Sequence, residues 1–279
     1  MPNPIADPFV EVADTDAVSP LVRIDATPGG AASVIIDRAE KKNAFNAEVI
    51  GALSQAFETL RGADGVRVVF VRGAGGNFCA GADLDWMAAA GDLSEADNRD
   101  DAMAMATMLK HLHDLPMLTV ALVEGAAFGG GAGLVAACDM AIATREARFA
   151  FSEVKLGLIA ATISPYVIAA IGARRARCLF ATARVFDAEH ALAIGLVDEV
   201  VEDTEALGAA RARIGGEIRA CAPGAVTQSK RLVEAIAGRP IDHALMEDTA
   251  RRIAHARVGE EGRAGVAAFL GRRPAPWAE

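Results

Sequence analysis

The sequence predicts an α/β fold of recurring strand–strand–helix units, followed by a region made of helices alone. Three observations carry this expectation. Short β-branched apolar runs recur through the first 200 or so residues, apolar residues at helical spacing separate them, and strand-like runs stop near residue 203.

Composition fits such a fold. Of 279 residues, 52% are apolar and 23% charged, with few aromatics, so a sizeable core can be buried and disorder is not expected. The net charge of −9 is spread thinly and no run of Lys and Arg occurs, so neither nucleic acid nor an anionic membrane surface is expected as a partner. No apolar run reaches the roughly 18 residues that span a bilayer. Cys79, Cys138, Cys178 and Cys221 are far apart and form no CxxC pair, which suits a reduced, cytoplasmic protein without a zinc site.

Residues 1–20, MPNPIADPFVEVADTDAVSP, read as a flexible lead-in with neither a signal-peptide nor a transit-peptide pattern. LVRID and ASVIIDR then flank ATPGGA as a pair of neighbouring strands. In NAEVIGALSQAFETLRG, Val49, Ile50, Leu53, Ala56, Phe57 and Leu60 share a helix face, with Asn46 as cap and Gly62 as stop. VRVVFVRG reads as a buried strand, a helix is expected within 95–113, and MLTVALVEG as the next strand. A helix comes after the glycines that begin at Gly125, then the strands DMAIAT and ARFAF, helices from about 164 to 194, and the strand GLVDEVV. The expected organisation is a core over 21–202 and a helical region over 203–279.

The chemistry concentrates around EGAAFGGGAGLVAACD, Glu124–Asp139. Glycines between a strand and a helix expose backbone N–H groups at the positive end of the helix dipole, a place suited to negative charge. The spacing is not GxGxxG, and no Lys-Ser/Thr comes next, so neither a dinucleotide fingerprint nor a P-loop is indicated. Close packing of a helix on a strand would also explain the glycines. A second glycine turn, RGAGGNFCAGADLDWM, comes after the strand VRVVFV; two such turns can each offer one N–H to a single oxygen, as an oxyanion hole requires.

NFCAGADLDWM, VEGAAFGGGAGLVAACDMAIAT and ARFAFSEVKLGLIAATISPYV, in this order, resemble the crotonase superfamily, the enoyl-CoA hydratase/isomerase family. DRAEKKNAFN and EGRAGVAAFLGRR add to a resemblance covering about residues 21 to 273. It implies a crotonase-like spiral of ββα units with a helical C-terminal trimerisation region, and so a homotrimer or a hexamer built as a dimer of trimers. It also implies acyl-CoA thioester substrates, coenzyme A being part of the substrate and no separate cofactor being required. By the same resemblance the N–H groups of Ala80 and Gly130 hold the thioester oxygen of an enolate-like intermediate. Lys41, Lys42, Ala44, Ala82, Asp83 and Leu84 lie where the family contacts coenzyme A, and Phe269 where a neighbouring subunit's C-terminal helix reaches the nucleotide. A solvated turn is the plainer reading of the two lysines.

Hydratases of this family carry two glutamates flanking a water. Glu153 matches the second, whereas the first falls on Gly133, which has no side chain. Gly133 is expected to leave room, or admit a water, beside the acyl β-carbon, and a substrate carboxylate could occupy that space. FGGGAGLVAACD with SEVKLGLIAATISPYV is closest to family hydratases acting on branched or carboxylated glutaconyl-type thioesters, such as 3-methylglutaconyl-CoA and isohexenylglutaconyl-CoA, which places the reaction in leucine or acyclic terpenoid breakdown. Three readings stay open: a hydratase, a Δ3/Δ2-enoyl-CoA isomerase using one glutamate, and a non-catalytic acyl-CoA binder. Asp139 reads as a cap or structural partner, Glu124 as support for the glycine turn, and Tyr166 either as a neighbour of the acyl tail or as packing. His111 and His113, two apart on a helix, face different ways and suggest no metal site.

Overall fold

The computed structural model describes residues 19–278, so the expected lead-in lies outside the described residues except for Ser19 and Pro20. The chain forms two compact units, the first ending at Ala212 and the second beginning at Arg213.

The first unit starts with a hairpin of β1 (Val22–Ala26) and β2 (Ala31–Ile36), antiparallel with Val22 opposite Ile36. All six residues of β2 are buried, as expected of a strand covered on both faces. A 3₁₀ turn (Ala39–Lys41) leads to α1 (Ala47–Arg61), whose Val49, Ile50, Leu53, Ala56, Phe57 and Leu60 enter the core. Burying each large apolar side chain contributes about 1.5–3 kcal/mol. The Asn46 side chain accepts the Val49 N–H at 2.9 Å, capping the helix as its sequence indicates, and Gly62 ends it.

Next come β3 (Val68–Gly73), α2 (Leu84–Ala90), α3 (Glu95–His113), β4 (Leu118–Val123), β5 (Ala126–Phe128) and α4 (Gly130–Ala137). After them lie β6 (Met140–Thr144), β7 (Arg148–Ala150), a 3₁₀ turn (Glu153–Leu156), α5 (Ser164–Ile171), α6 (Ala173–Thr182), β8 (Phe186–Asp187), α7 (Ala188–Ile194), β9 (Glu199–Val201) and α8 (Thr204–Arg219). The main sheet runs β1-β2-β3-β4-β6-β9, parallel after the opening hairpin, and a small sheet runs β5-β7-β8. This is the expected mixed α/β architecture. Three residues inside the glycine segment differ from expectation: Ala126–Phe128 is a strand paired in parallel with Arg148–Ala150, so the turn into α4 begins only after Phe128.

The second unit contains α9 (Pro223–Ile236), α10 (His243–Val258) and α11 (Glu260–Leu270), and a side chain of α11 caps α9. The Glu261 carboxylate accepts the Gly224 and Ala225 N–H groups at 2.8 and 2.9 Å, using the positive start of α9. No described helix is long and apolar enough to cross a membrane.

Candidate active site

The first glycine turn is woven into the fold by its backbone. Phe78 and Cys79 donate to the carbonyls of Glu124 and Ala126, and Phe128 donates back to Cys79. Beyond them, Phe45 N–H donates to Gly81 O (2.7 Å) and Asp83 N–H to Phe45 O (2.7 Å), which leaves Ala82 bridged to Phe45 with its own N–H turned the other way. The Ala80 N–H, expected as an oxyanion donor, is already engaged: it donates to Lys42 O at 3.0 Å. The half-buried Ala82 N–H has no acceptor among the described residues, so the open amide in this turn is two residues further on.

The second turn has open amides of its own. Gly129 sits at φ +49°, ψ −118°, where a side chain would be strained, and α4 starts directly after it. The N–H groups of Gly130, Gly131 and Ala132 fall in the first turn, without intrahelical acceptors, whereas Gly133 N–H reaches Gly129 O at 3.0 Å. A β-carbon on Gly130 would meet the Phe45 ring at 3.1 Å and Met105 Cε at 3.0 Å. Phe45 therefore touches both turns, by its backbone at Ala82 and by its ring at Gly130. Its place in DRAEKKNAFN carried no such role in the sequence reading.

Glu153 opens the 3₁₀ turn after β7 and points back over α4's entrance. Its Oε1 lies 3.1 Å from where a β-carbon on Gly129 would stand, and its Oε2 is buried without a hydrogen-bond partner among the described residues. Burial raises its pKa above the ordinary glutamate value, opposed by its own amide. A carboxylate with a raised pKa beside open amides is suited to exchanging protons with a substrate.

Gly133 does not leave room. Ile163, 2% exposed, sits on it: a β-carbon on Gly133 would lie 2.1 Å from Ile163 Cγ2 and 2.5 Å from Ile163 Cβ. The expectation of a space there for water or a substrate carboxylate is corrected. An aliphatic side chain fills the place.

The residues expected to contact coenzyme A separate into groups. Lys42 is exposed in the left-handed conformation (φ +50°), with no ion-pair partner among the described residues. Lys41 is engaged with Asp85 at 2.9 Å, and that bond, then the nearby Asp83 charge, holds its pKa above the usual lysine value. Ala44 is buried and its backbone is spent, its N–H on Lys41 O and its carbonyl on Arg38 Nη1. Asp83 is also buried; it caps α2 through the Asp85 and Trp86 amides and faces Arg38 Nη1 at 2.7 Å. Burial pushes its pKa up, but the Trp86 amide, Arg38 and the Asp85 amide outweigh it and hold the carboxyl below its usual range. Leu84 is 75% exposed beside that cap, and Phe269 is 84% exposed on α11.

Asn43, missed in the sequence reading, holds this region together. Fully buried, it accepts Arg38 N–H at 2.9 Å and donates to Ala74 O and Asn77 O at 2.8 and 2.6 Å, tying the Lys41–Lys42 turn to the end of β3.

The remaining candidates have structural places. Asp139 Oδ2 accepts the Thr119 N–H and hydroxyl, both at 2.8 Å, and Glu124 accepts Phe78 N–H and the Thr204 hydroxyl. Tyr166 meets His113 edge-on at 5.3 Å and lines a cavity of about 400 Å³ at the Cys138 end of α4, away from Gly130. His111 Nδ1 faces Ser54 Oγ at 2.9 Å.

Comparison with known proteins agrees with the fold. The chain belongs to the enoyl-CoA hydratase/isomerase family, whose pattern matches residues 26–279. It is 32% identical over 251 residues to the enoyl-CoA hydratase ACTT6 of Alternaria alternata, covering 89% of this chain and 81% of that one. The crystal structure of an enoyl-CoA hydratase from Shewanella pealeana superposes with a TM-score of 0.88 at 36% identity, over 92% of this chain and 96% of that one. A shorter match, 33% over 172 residues, spans 61% of this chain and half of the human mitochondrial methylglutaconyl-CoA hydratase.

Proposed function

We propose that the protein hydrates 2-enoyl-CoA thioesters with Glu153 as its single acid/base. The observation that carries this is the Glu153 carboxylate, buried and unpartnered at Oε2 and lying over Gly129, one residue before the open Gly130 amide. The Ala82 and Gly130 amides receive the thioester oxygen as it gains charge. Glu153 then takes a proton from water as the water oxygen bonds to the β-carbon. The acid so formed gives that proton to the α-carbon, which restores the carboxylate. The hydratase names of the relatives support this reading. In Glu153→Gln, kcat should fall about 10²–10⁴-fold while thioester binding persists; a near-normal rate would remove Glu153 from the role.

One observation favours a second reading. With Ile163 on Gly133, a second carboxylate has no place at 133, and moving a double bond needs only one group that takes a proton from one carbon and returns it to another. Turnover in ¹⁸O-labelled water separates the two: hydration puts label into a 3-hydroxyacyl product and isomerisation does not. A protein that turns over no enoyl thioester would be a binder.

A branched or carboxylated acyl group of the glutaconyl type stays part of the proposal through the motif resemblance and the partial match to the human methylglutaconyl-CoA enzyme. The filled space over Gly133 lends it nothing. Comparing crotonyl-CoA with glutaconyl-type thioesters decides it. Assembly into trimers is proposed on the exposed face of Val266, Phe269 and Leu270, spaced as one stripe of α11, and light scattering of the intact chain tests it.

A further inference from the structure

We infer that Ile163 is the specificity-determining residue of this site, setting which substituents the acyl chain can carry next to the carbon that Glu153 serves. The inference rests on Glu153 being the acid/base.

Gly129 and Gly133 lie one turn apart, joined by the bond from Gly133 N–H to Gly129 O. Gly129 is the N-cap of α4 and Gly133 lies in its first turn, so the two positions sit at the same end of the helix. The Glu153 carboxylate rests on the first position and the Ile163 side chain on the second. Carboxylate and branched alkyl group thus rest on two backbone positions that one hydrogen bond joins at the start of α4. With the thioester oxygen at the start of α4 and Glu153 at the α-carbon, Ile163 is the wall one step further along.

That wall is fixed. Ile163 caps α5, its carbonyl accepting Val167 N–H at 3.1 Å, and a β-branched side chain has few rotamers to retreat into. It offers no proton and no hydrogen bond, so it discriminates by shape. It also excludes a second acid, because even the β-carbon of a residue at 133 would collide with it.

The test measures kcat/KM for a β-methyl-substituted and an unsubstituted enoyl-CoA thioester. In Ile163→Ala, the ratio of branched to unbranched should rise about tenfold, the scale on which pocket methylenes discriminate. A ratio that stays put, whatever happens to the melting temperature, would overturn the inference and leave Ile163 a packing residue. Ile163→Val removes a single carbon and should move the ratio the same way by less, which keeps the test available if the alanine variant does not fold. Glu153→Gln is run alongside. If that variant keeps its rate, the underlying reading fails. If it is inactive and the Ile163 ratio is unmoved, only this inference fails.

Discussion

The Glu153 carboxylate lies directly over Gly129, 3.1 Å from the place a β-carbon would occupy there, and Gly129 holds a φ of +49°. The absence of a side chain at 129 therefore serves both the helix entry and the acid. Gly129→Ala should destabilise the fold by about 1–3 kcal/mol through backbone strain and, by displacing the carboxylate, lower kcat more than it raises KM. Thermal unfolding and steady-state kinetics on the one variant check both effects.

Glu153 also predicts a pH dependence. Burial makes the native carboxyl hold its proton more tightly than the unfolded chain does. The stability contributed by the neutral acid is therefore full below the unfolded value of about 4.3, and is lost as pH rises through the higher native pKa. Glu153→Gln, uncharged throughout, should melt above the wild type at pH 7–8, with the difference closing near pH 4. A glutamine variant that melts below the wild type at pH 8 would contradict this. Since hydration starts from the carboxylate, kcat/KM should fall on the acid side with a midpoint above the ordinary glutamate value.

Asn43→Ala would leave the Arg38 N–H and the Ala74 and Asn77 carbonyls without their present partner. Buried groups stripped in this way cost about 1–3 kcal/mol each, so urea unfolding should show a loss of at least about 2 kcal/mol. Because the Lys42 carbonyl holds the Ala80 amide of the first turn, thioester KM should rise in the same variant.

Cys79 should be inert. Burial, opposed by contacts with the Gly81 and Phe45 backbone, pushes its thiol pKa up to about 12, whereas Cys178 and Cys221 are exposed. Alkylation at pH 8 followed by peptide mass mapping should find label on Cys178 and Cys221 in the folded protein, and on Cys79 only after unfolding.

Much of this was legible in the sequence where local backbone chemistry decides. Asn46 and Gly62 bounded α1, and the β-branched runs marked the parallel strands. Glycines between strand and helix marked the place where α4 begins. The features that stayed hidden depend on neighbours far along the chain. Ala80 and Ala82 are equivalent as letters, and only the Lys42 carbonyl, nearly 40 residues earlier, decides which amide is spent. Nothing in the spacing of Gly133 and Ile163 reveals that one rests on the other. Phe45 and Asn43 looked like parts of a motif, and their tasks emerged only once the two turns lay against them.

The contact between Ile163 and Gly133 bears on how this site could change over generations. A carboxylate at 133 is not introduced by one substitution without displacing Ile163, because its first carbon would overlap a neighbour that is itself anchored at a helix start. Ile163→Ala would not clear the way either, since the alanine keeps the carbon 2.5 Å from the new one. Two changes would have to arrive together, one of them to glycine. The single-acid character of the site is in that sense held by packing, and the surroundings of Glu153 are the part that single substitutions can alter.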